Sequence, residues 1–259
     1  MSGSRLLTFL GTGTSVGVPM IGCECPICTS NNPRNQRYRS SVLIGTPAGN
    51  ILIDTGPEMR LQLVRAKVRA IHAVLYTHYH VDHLYGLDDL RQVAKYLDGP
   101  VPIYCTEEVE AVIRQVFSYA FVTGKDIPIG YVPKLEFRRI DASPFTVLDQ
   151  RVTPIPLIHS WFKVFGFRFG DLAYCTDVSE IPATSWPLLD GVRYLILDCL
   201  RFKPHPAHLG LEQSLDIIKR LGPERAFLTH MSHEFDYETL NPQLPAGVEM
   251  AYDGLSIQF

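Results

Sequence analysis

The chain reads as an α/β protein in which two sheets are sandwiched between helices. Three observations point there. Short apolar runs of β character recur along the whole sequence. A smaller number of segments with helical spacing falls between them. Several β runs also end directly in a polar residue able to reach a site: Asp54, Thr77, Asp177, Asp198 and His230. In layered α/β folds the chemistry collects on loops at one edge of the sheets.

The elements follow in order. Strands are expected at Leu6 to Leu10, Ser41 to Ile44, Asn50 to Asp54, Ala73 to Tyr76 and Val101 to Tyr104. The later ones are Phe145 to Leu148, Val152 to Leu157, Val164 to Phe169, Asp171 to Cys175, Tyr194 to Asp198, Ala226 to Thr229 and Met250 to Tyr252. Helices are expected at Leu84 to Tyr96, Glu107 to Tyr119 and Leu211 to Leu221, with a weaker one at Pro57 to Val68. Gly222-Pro223 is a strong stop for the Leu211 helix. Residues 96–140 carry the least metal-type chemistry and read as an insertion or lid, not a separate domain.

With 259 residues, 46% of them hydrophobic and 20% charged, the chain fits one globular domain spanning residues 1–259. The net charge of −3 predicts no strong nucleic-acid surface. No apolar run is long enough to span a membrane. Met1 to Phe9 is too short and too mixed for a signal peptide. The oligomeric state stays open between a monomer and a homodimer.

The densest chemistry is Tyr76-Thr77-His78-Tyr79-His80-Val81-Asp82-His83, directly after the apolar run Ala73 to Tyr76. Extended backbone would point His78 and His80 the same way by period-two alternation. Asp82 and His83 are adjacent, so they are expected to diverge and face a second ion. Imidazole suits Zn, Fe, Mn and Ni, and a carboxylate adds hardness and neutralises charge. Four ligands are too few for two metals. His159, Asp177 and His230 each follow a β run and supply the rest. A carboxylate at Asp177 is able to bridge two cations, and water between two cations loses a proton near neutral pH to become a nucleophile.

The six cysteines divide into two sets. Cys23, Cys25 and Cys28 crowd around Pro26, a poor disulfide framework and a better metal knuckle. Thiolates so placed suit a tetrahedral structural Zn, with His233 as the best fourth ligand. Cys105, Cys175 and Cys199 sit in apolar surroundings and read as core. Reduced cysteines make a cytoplasmic setting the default.

His78-x-His80-x-Asp82-His83, the early Asp54-Thr55-Gly56, and the later His159, Asp177 and His230 together resemble the metallo-β-lactamase superfamily. The resemblance runs from about Leu6 to Phe259 and implies a four-layer αββα sandwich with its site at one edge. It also implies two divalent active-site ions, Zn, Mn or Fe. His78, His80 and His159 would bind the first, Asp82, His83 and His230 the second, with Asp177 between them. Asp54 and Asp198 would hold ligand imidazoles or loops in place.

Leu10-Gly11-Thr12-Gly13, the cysteine loop, Tyr38-Arg39-Ser40-Ser41 and Thr229 to Asp236 narrow the resemblance. They are similar to the phosphodiesterase branch of the carbon–phosphorus lyase pathway, whose substrates are cyclic phosphates of ribose and related phosphodiesters. In that branch a histidine just upstream of the Leu211 helix contacts phosphate or protonates the leaving oxygen. His208 matches that position better than His205. The Gly11-Thr12-Gly13 turn is expected to let backbone pass close to the metals.

The resulting expectation is a phosphodiesterase acting on small cyclic or linear phosphodiesters through a metal-bridging hydroxide, with His208 as the proton donor and Asp82 at the reacting centre. A thioester or lactone hydrolase uses the same ligand set. A tRNA 3′-end nuclease would want a basic arm, yet residues 100–135 hold Arg114, Lys125 and Lys134 against Glu107, Glu108, Glu110 and Asp126, a balance of 3 − 4 = −1. A carrier of the pyrroloquinoline quinone biosynthesis type has a similar cysteine loop but needs no activated water.

Overall fold

A computed structural model describes residues 5–97, 99–122, 127–128 and 130–259. The first half builds β1 (Leu6–Gly11), β2 (Ser41–Thr46), β3 (Gly49–Ile53), β4 (Ala73–Leu75), β5 (Val101–Cys105) and β6 (Leu135–Arg139). The second half builds β7 (Phe145–Val147), β8 (Gln150–His159), β9 (Phe162–Phe169), β10 (Leu172–Cys175), β11 (Tyr194–Asp198), β12 (Arg225–Thr229), β13 (Val248–Met250) and β14 (Ser256–Gln258). One sheet runs β14-β1-β2-β3-β4-β5-β6 and the other β13-β12-β11-β10-β9-β8-β7. Each sheet is antiparallel on one side and parallel on the other. In the first, β3 to β6 are parallel, and in the second, β10 to β13 are.

Three apolar layers separate four structural layers. Leu7, Phe9, Ile44, Ile51, Phe167, Phe169 and Phe227 fill the space between the sheets. Outside the first sheet, Leu52, Val74, Ile103 and Leu87 meet α1 (Met59–Arg65) and its neighbours. Outside the second, Leu195, Leu197 and Leu228 meet the helix Leu211–Leu221 and the short turn Tyr237–Leu240. Central strands covered on both faces read as continuous apolar runs, which is why Ile51, Leu52 and Ile53 are all buried. This is the expected αββα sandwich.

Differences from the sequence expectation have local causes. The helix expected at Leu84 to Tyr96 is broken into the turn α2 (Val81–Leu84), a 3-10 turn at Leu87–Asp89, α3 (Leu90–Val93) and another 3-10 turn at Ala94–Tyr96. Gly86 interrupts it, pressed so close to Gly56 that a Cβ would lie 2.1 Å from the Gly56 carbonyl oxygen. The helix at Glu107 becomes α4 (Glu107–Val116), capped by Thr106, whose hydroxyl accepts from Val109 N–H at 3.3 Å. The segment expected as an insertion contributes β5 and β6 to the first sheet, so much of it belongs to the sandwich. Residues 123–126, including Lys125 and Asp126 of the charge balance, lie outside the described residues. The last expected strand shifts to Val248–Met250.

Candidate metal centre

The parallel strands deliver their C-terminal residues to one edge. Asp54 follows β3, His78 follows β4, Asp177 follows β10, Asp198 ends β11 and His230 follows β12. His159 ends β8. Asp54, Asp177 and His230 each take a left-handed backbone, with φ of 63°, 57° and 59°. Such strain in a non-glycine residue persists only where its surroundings enforce it, and it clusters at functional sites. Here it turns three side chains inward at the strand ends.

The loop after β3 cradles the histidine motif. Thr55 N–H donates to the His83 carbonyl at 2.7 Å, and the Thr55 hydroxyl donates to Leu84 O at 3.0 Å. A Cβ at Gly56 would lie 2.5 Å from the Asp82 carbonyl oxygen, so only glycine allows this approach. Asp82 and His83 sit on α2, about 100° apart around a helix axis rather than opposed. Both therefore face the same cluster, where the expectation was divergence.

Two donor groups result. His78, His80 and His159 form one, and Asp82, His83, Asp177 and His230 the other, with the donor atoms of each within 4.8 Å of one another. Asp177 lies between them. Its Oδ2 is 3.1 Å from His83 Nε2, and its Oδ1 is 3.3 Å from His230 Nε2. The same Oδ1 is 4.0 Å from the Nε2 atoms of both His78 and His159.

Hydrogen bonds behind the rings decide which nitrogen faces the centre. His83 Nδ1 donates to Asp54 Oδ2 at 2.7 Å, and His159 Nδ1 donates to the Ala207 carbonyl at 2.7 Å. The Thr77 hydroxyl donates to Asp54 Oδ2 at 2.8 Å, so it accepts from His78 Nδ1 at 2.9 Å. Each ring thus turns Nε2 toward the centre, the nitrogen a metal would take in place of a proton. Asp54 reaches His83 directly and His78 through Thr77. Sequence reasoning had no signal for the Ala207 carbonyl, because a backbone acceptor is not written in residue type.

Asp198 ties the loop after β10 to His208. Its Oδ2 accepts from Val178 N–H at 2.8 Å and from His208 Nδ1 at 2.9 Å. Its Oδ1 lies 4.0 Å from His230 Nδ1. His208 stacks on His230 with centroids 4.6 Å apart and lies 4.6 Å from His159. It borders the centre, and a ring nitrogen of His208 lies within 4.8 Å of donor atoms of His159 and Asp177 and of Asp198 and His230. His205 lies farther out, its ring 5.5 Å from that of His208.

Electrostatics fit a cation. Burial alone would raise the Asp177 carboxyl, yet the His230 and His83 imidazoles outweigh it and hold it well below the usual range. Burial works against a charge on His83 and His230, but Asp177 and its neighbours overcome it; His83 rises well above the ordinary value and His230 to about 9. Among the described residues, the buried Nε2 atoms of His78, His83 and His230 have no hydrogen-bond partner. Unpaired buried nitrogens converging on carboxylates are costly with protein groups alone and suited to divalent ions.

A second cluster lies on the neighbouring loop. His233 Nδ1 is 3.2 Å from Cys23 Sγ and 3.5 Å from the sulfurs of Cys25 and Cys28. Backbone N–H groups of Met20 and Cys28 donate to Cys28 and Cys25 sulfurs at 3.3 and 3.4 Å. The Cys28 N–H is the main cause holding the Cys25 thiol down to about 6. Cys105, Cys175 and Cys199 are buried core residues. The Gly11–Gly13 turn runs beside Met231, the residue after His230: Met231 N–H donates to Thr12 O at 2.9 Å, and Gly13 bridges to Met231. A Cβ at Gly11 would lie 2.0 Å from Arg39 O, and one at Gly13 2.7 Å from Arg37 O. These glycines let two backbone segments pass each other.

Comparison with known proteins agrees with this geometry. The structure matches a new diphosphatase of the PhnP family with a TM-score of 0.92 and 39% identity, covering 99% of this chain and 97% of that one. Zinc-bound PqqB from Methylobacterium extorquens superposes with a TM-score of 0.79 at 20% identity, over 98% and 100% of the two chains, a likeness of fold. An octanoyltransferase of Porphyromonas gingivalis is 36% identical over 250 residues, 95% of this chain but 50% of that protein. The chain thus spans about half the length of that relative. The β-lactamase superfamily domain model matches residues 49–231, and with the sandwich and donor set above, the chain belongs to the metallo-β-lactamase superfamily.

Proposed function

We propose that this chain is a dinuclear metal-dependent phosphodiesterase for small substrates. The observation that carries this reading is the position of Asp177, one carboxylate within 3.1 to 4.0 Å of imidazoles from both donor groups. His78, His80 and His159 would hold one divalent ion, Asp82, His83 and His230 the other, with Asp177 shared. Bound there, two divalent ions supply Lewis acidity toward a phosphoryl oxygen and lower the pKa of water. Cys23, Cys25, Cys28 and His233 would hold a structural Zn, four donors closing a tetrahedron.

The chain's own residues do the rest. Asp54, Thr77 and the Ala207 carbonyl fix imidazole orientation before substrate arrives. Asp198 anchors Nδ1 of His208 and leaves Nε2 free, on a side chain 11% exposed at the rim. From there His208 would protonate the leaving oxygen, a general-acid role.

Cleavage of a diphosphate linkage is a second reading, favoured by the 39% identity to a PhnP-family diphosphatase. It uses the same centre on a longer substrate. The deciding experiment is metal analysis of the purified protein with a screen against cyclic phosphates, linear phosphodiesters, diphosphate diesters and thioesters. About three metals per chain and turnover confined to phosphate esters support the proposal. Thioester turnover alone would overturn it.

A further inference from the structure

Beside the metal centre, an aromatic series runs from buried to exposed. The Phe162 ring stands edge-on to His80 at 5.0 Å and to Tyr79 at 5.8 Å. Trp161 follows, its ring 5.3 Å from Phe162 and the residue 82% exposed. Tryptophan is well buried on average, so a bare indole this near a reactive centre asks for an occupant.

The turn that carries it is held firmly. His159 and Phe162 pair across the β8–β9 ladder, with Ser160 and Trp161 as the connecting residues. Ser160 is left-handed, at φ 58°, and its N–H donates to Ser179 Oγ at 2.9 Å. The Ser179 hydroxyl donates in turn to Ile158 O at 3.0 Å. Trp161 is therefore presented two residues from His159 at a fixed offset from the centre, with one face free. A rigid aromatic face is what a flat ring stacks upon, at low entropic cost and with no demand on its hydrogen-bonding edge.

We propose that Trp161 is a stacking platform for a flat ring, of the nucleobase type, carried by the phosphate ester. This rests on the phosphodiesterase reading for its turnover assay, but not for its binding assay. The platform reaches the centre through Phe162, which stands against His80, whereas His208 stacks on His230. Trp161 thus acts as a specificity-determining residue for the ring-bearing part of the substrate.

The test compares two cyclic phosphates, 2′,3′-cyclic AMP with its base and glycerol 1,2-cyclic phosphate without one, on the full metal-loaded chain. Trp161→Ala should cut the kcat/KM ratio of the first to the second by about tenfold, through KM, and Trp161→Phe should restore most of it. An unchanged ratio in Trp161→Ala overturns the proposal.

A binding readout needs no turnover. The chain has two tryptophans, and Trp186 lies under the Arg220 guanidinium at 3.5 Å. AMP should quench emission in the parent protein but not in Trp161→Phe, and inorganic phosphate should quench neither. Quenching by AMP in a protein that cleaves no phosphate ester would keep the platform and reject the phosphodiesterase reading. Phosphate-ester turnover without quenching would do the reverse. If sedimentation shows that Trp161→Ala dissociates a dimer and AMP leaves emission unchanged, the indole is a subunit contact and the proposal falls.

Discussion

The two donor clusters solve opposite problems. The histidine–carboxylate centre is sealed within the sandwich edge, with His83 and His230 wholly buried and Asp177 1% exposed. The cysteine cluster is shallow, its three thiols half-buried on a loop. One segment joins them, because His230 and His233 flank Met231, whose N–H donates to Thr12 O at 2.9 Å. Arg37, itself buried, donates to Ser232 O at 3.2 Å and Phe235 O at 2.7 Å, pinning the same segment. The difference teaches where each cluster gets its order. Strand ends and carboxylate-oriented rings prebuild the first, and half-buried His80 and partly exposed His208 leave it an opening. The second gathers four donors within 4.8 Å of one another, the number a tetrahedral metal takes.

The comparison breaks most sharply at Asp177. Asp177→Ala should empty the histidine centre and lower turnover by on the order of a thousandfold or more, while the cysteine cluster keeps its metal. Metal analysis and hydrolysis of bis(p-nitrophenyl) phosphate check it together; retained turnover would reject a shared bridging carboxylate. His208→Gln should come next. Active-site metal content stays at the parental level, and kcat falls by about 10² to 10⁴, most for esters with poor leaving groups. An emptied metal site would make His208 a ligand instead. Cys25→Ser works on the other cluster. It should lose one metal per chain and lower the melting temperature, and its loss of turnover should be far smaller than that of Asp177→Ala. A melting curve unchanged from the parent would remove the structural role.

How legible this was follows from where each signal lies. The central strands and the helix Leu211–Leu221 were plain, because double-sided burial and helical spacing are written in residue type. β6, with the sequence Leu-Glu-Phe-Arg-Arg, was not, because an exposed edge strand carries charge and breaks the apolar run. β14 has only three residues and borrows its order from pairing with β1. The donor residues were nameable from their types and their places after strands. Their convergence was not, because it depends on left-handed turns at Asp54, Asp177 and His230 that residue type does not announce. Trp161 stood in the sequence as one more aromatic, and only its exposure beside Phe162 and His80 gave it meaning.

The smallest effect on turnover is expected at Asp253, which braces the frame between the clusters without touching either. Its side chain is 2% exposed; Oδ1 accepts from the Thr12 hydroxyl and Oδ2 from Tyr38 N–H, each at 2.8 Å. Burial pushes its carboxyl up from 3.8 to about 6, against the pull of those donors and of Arg65. A raised folded-state value means the folded protein favours the neutral acid. Its stabilising contribution is complete below the unfolded value and is lost as pH rises toward about 6, a change of about 3 kcal/mol. Asp253→Asn has no proton to lose, so the variant should gain on the parent by that amount across the same interval and hold the gain above it. Urea unfolding of both proteins at acid and neutral pH measures the difference directly, and groups common to both cancel. Parallel pH curves would show that folding leaves the Asp253 carboxyl at its unfolded value, and a parent that gained on the variant as pH rose would show that Arg65 holds it ionised, as in an ordinary ion pair.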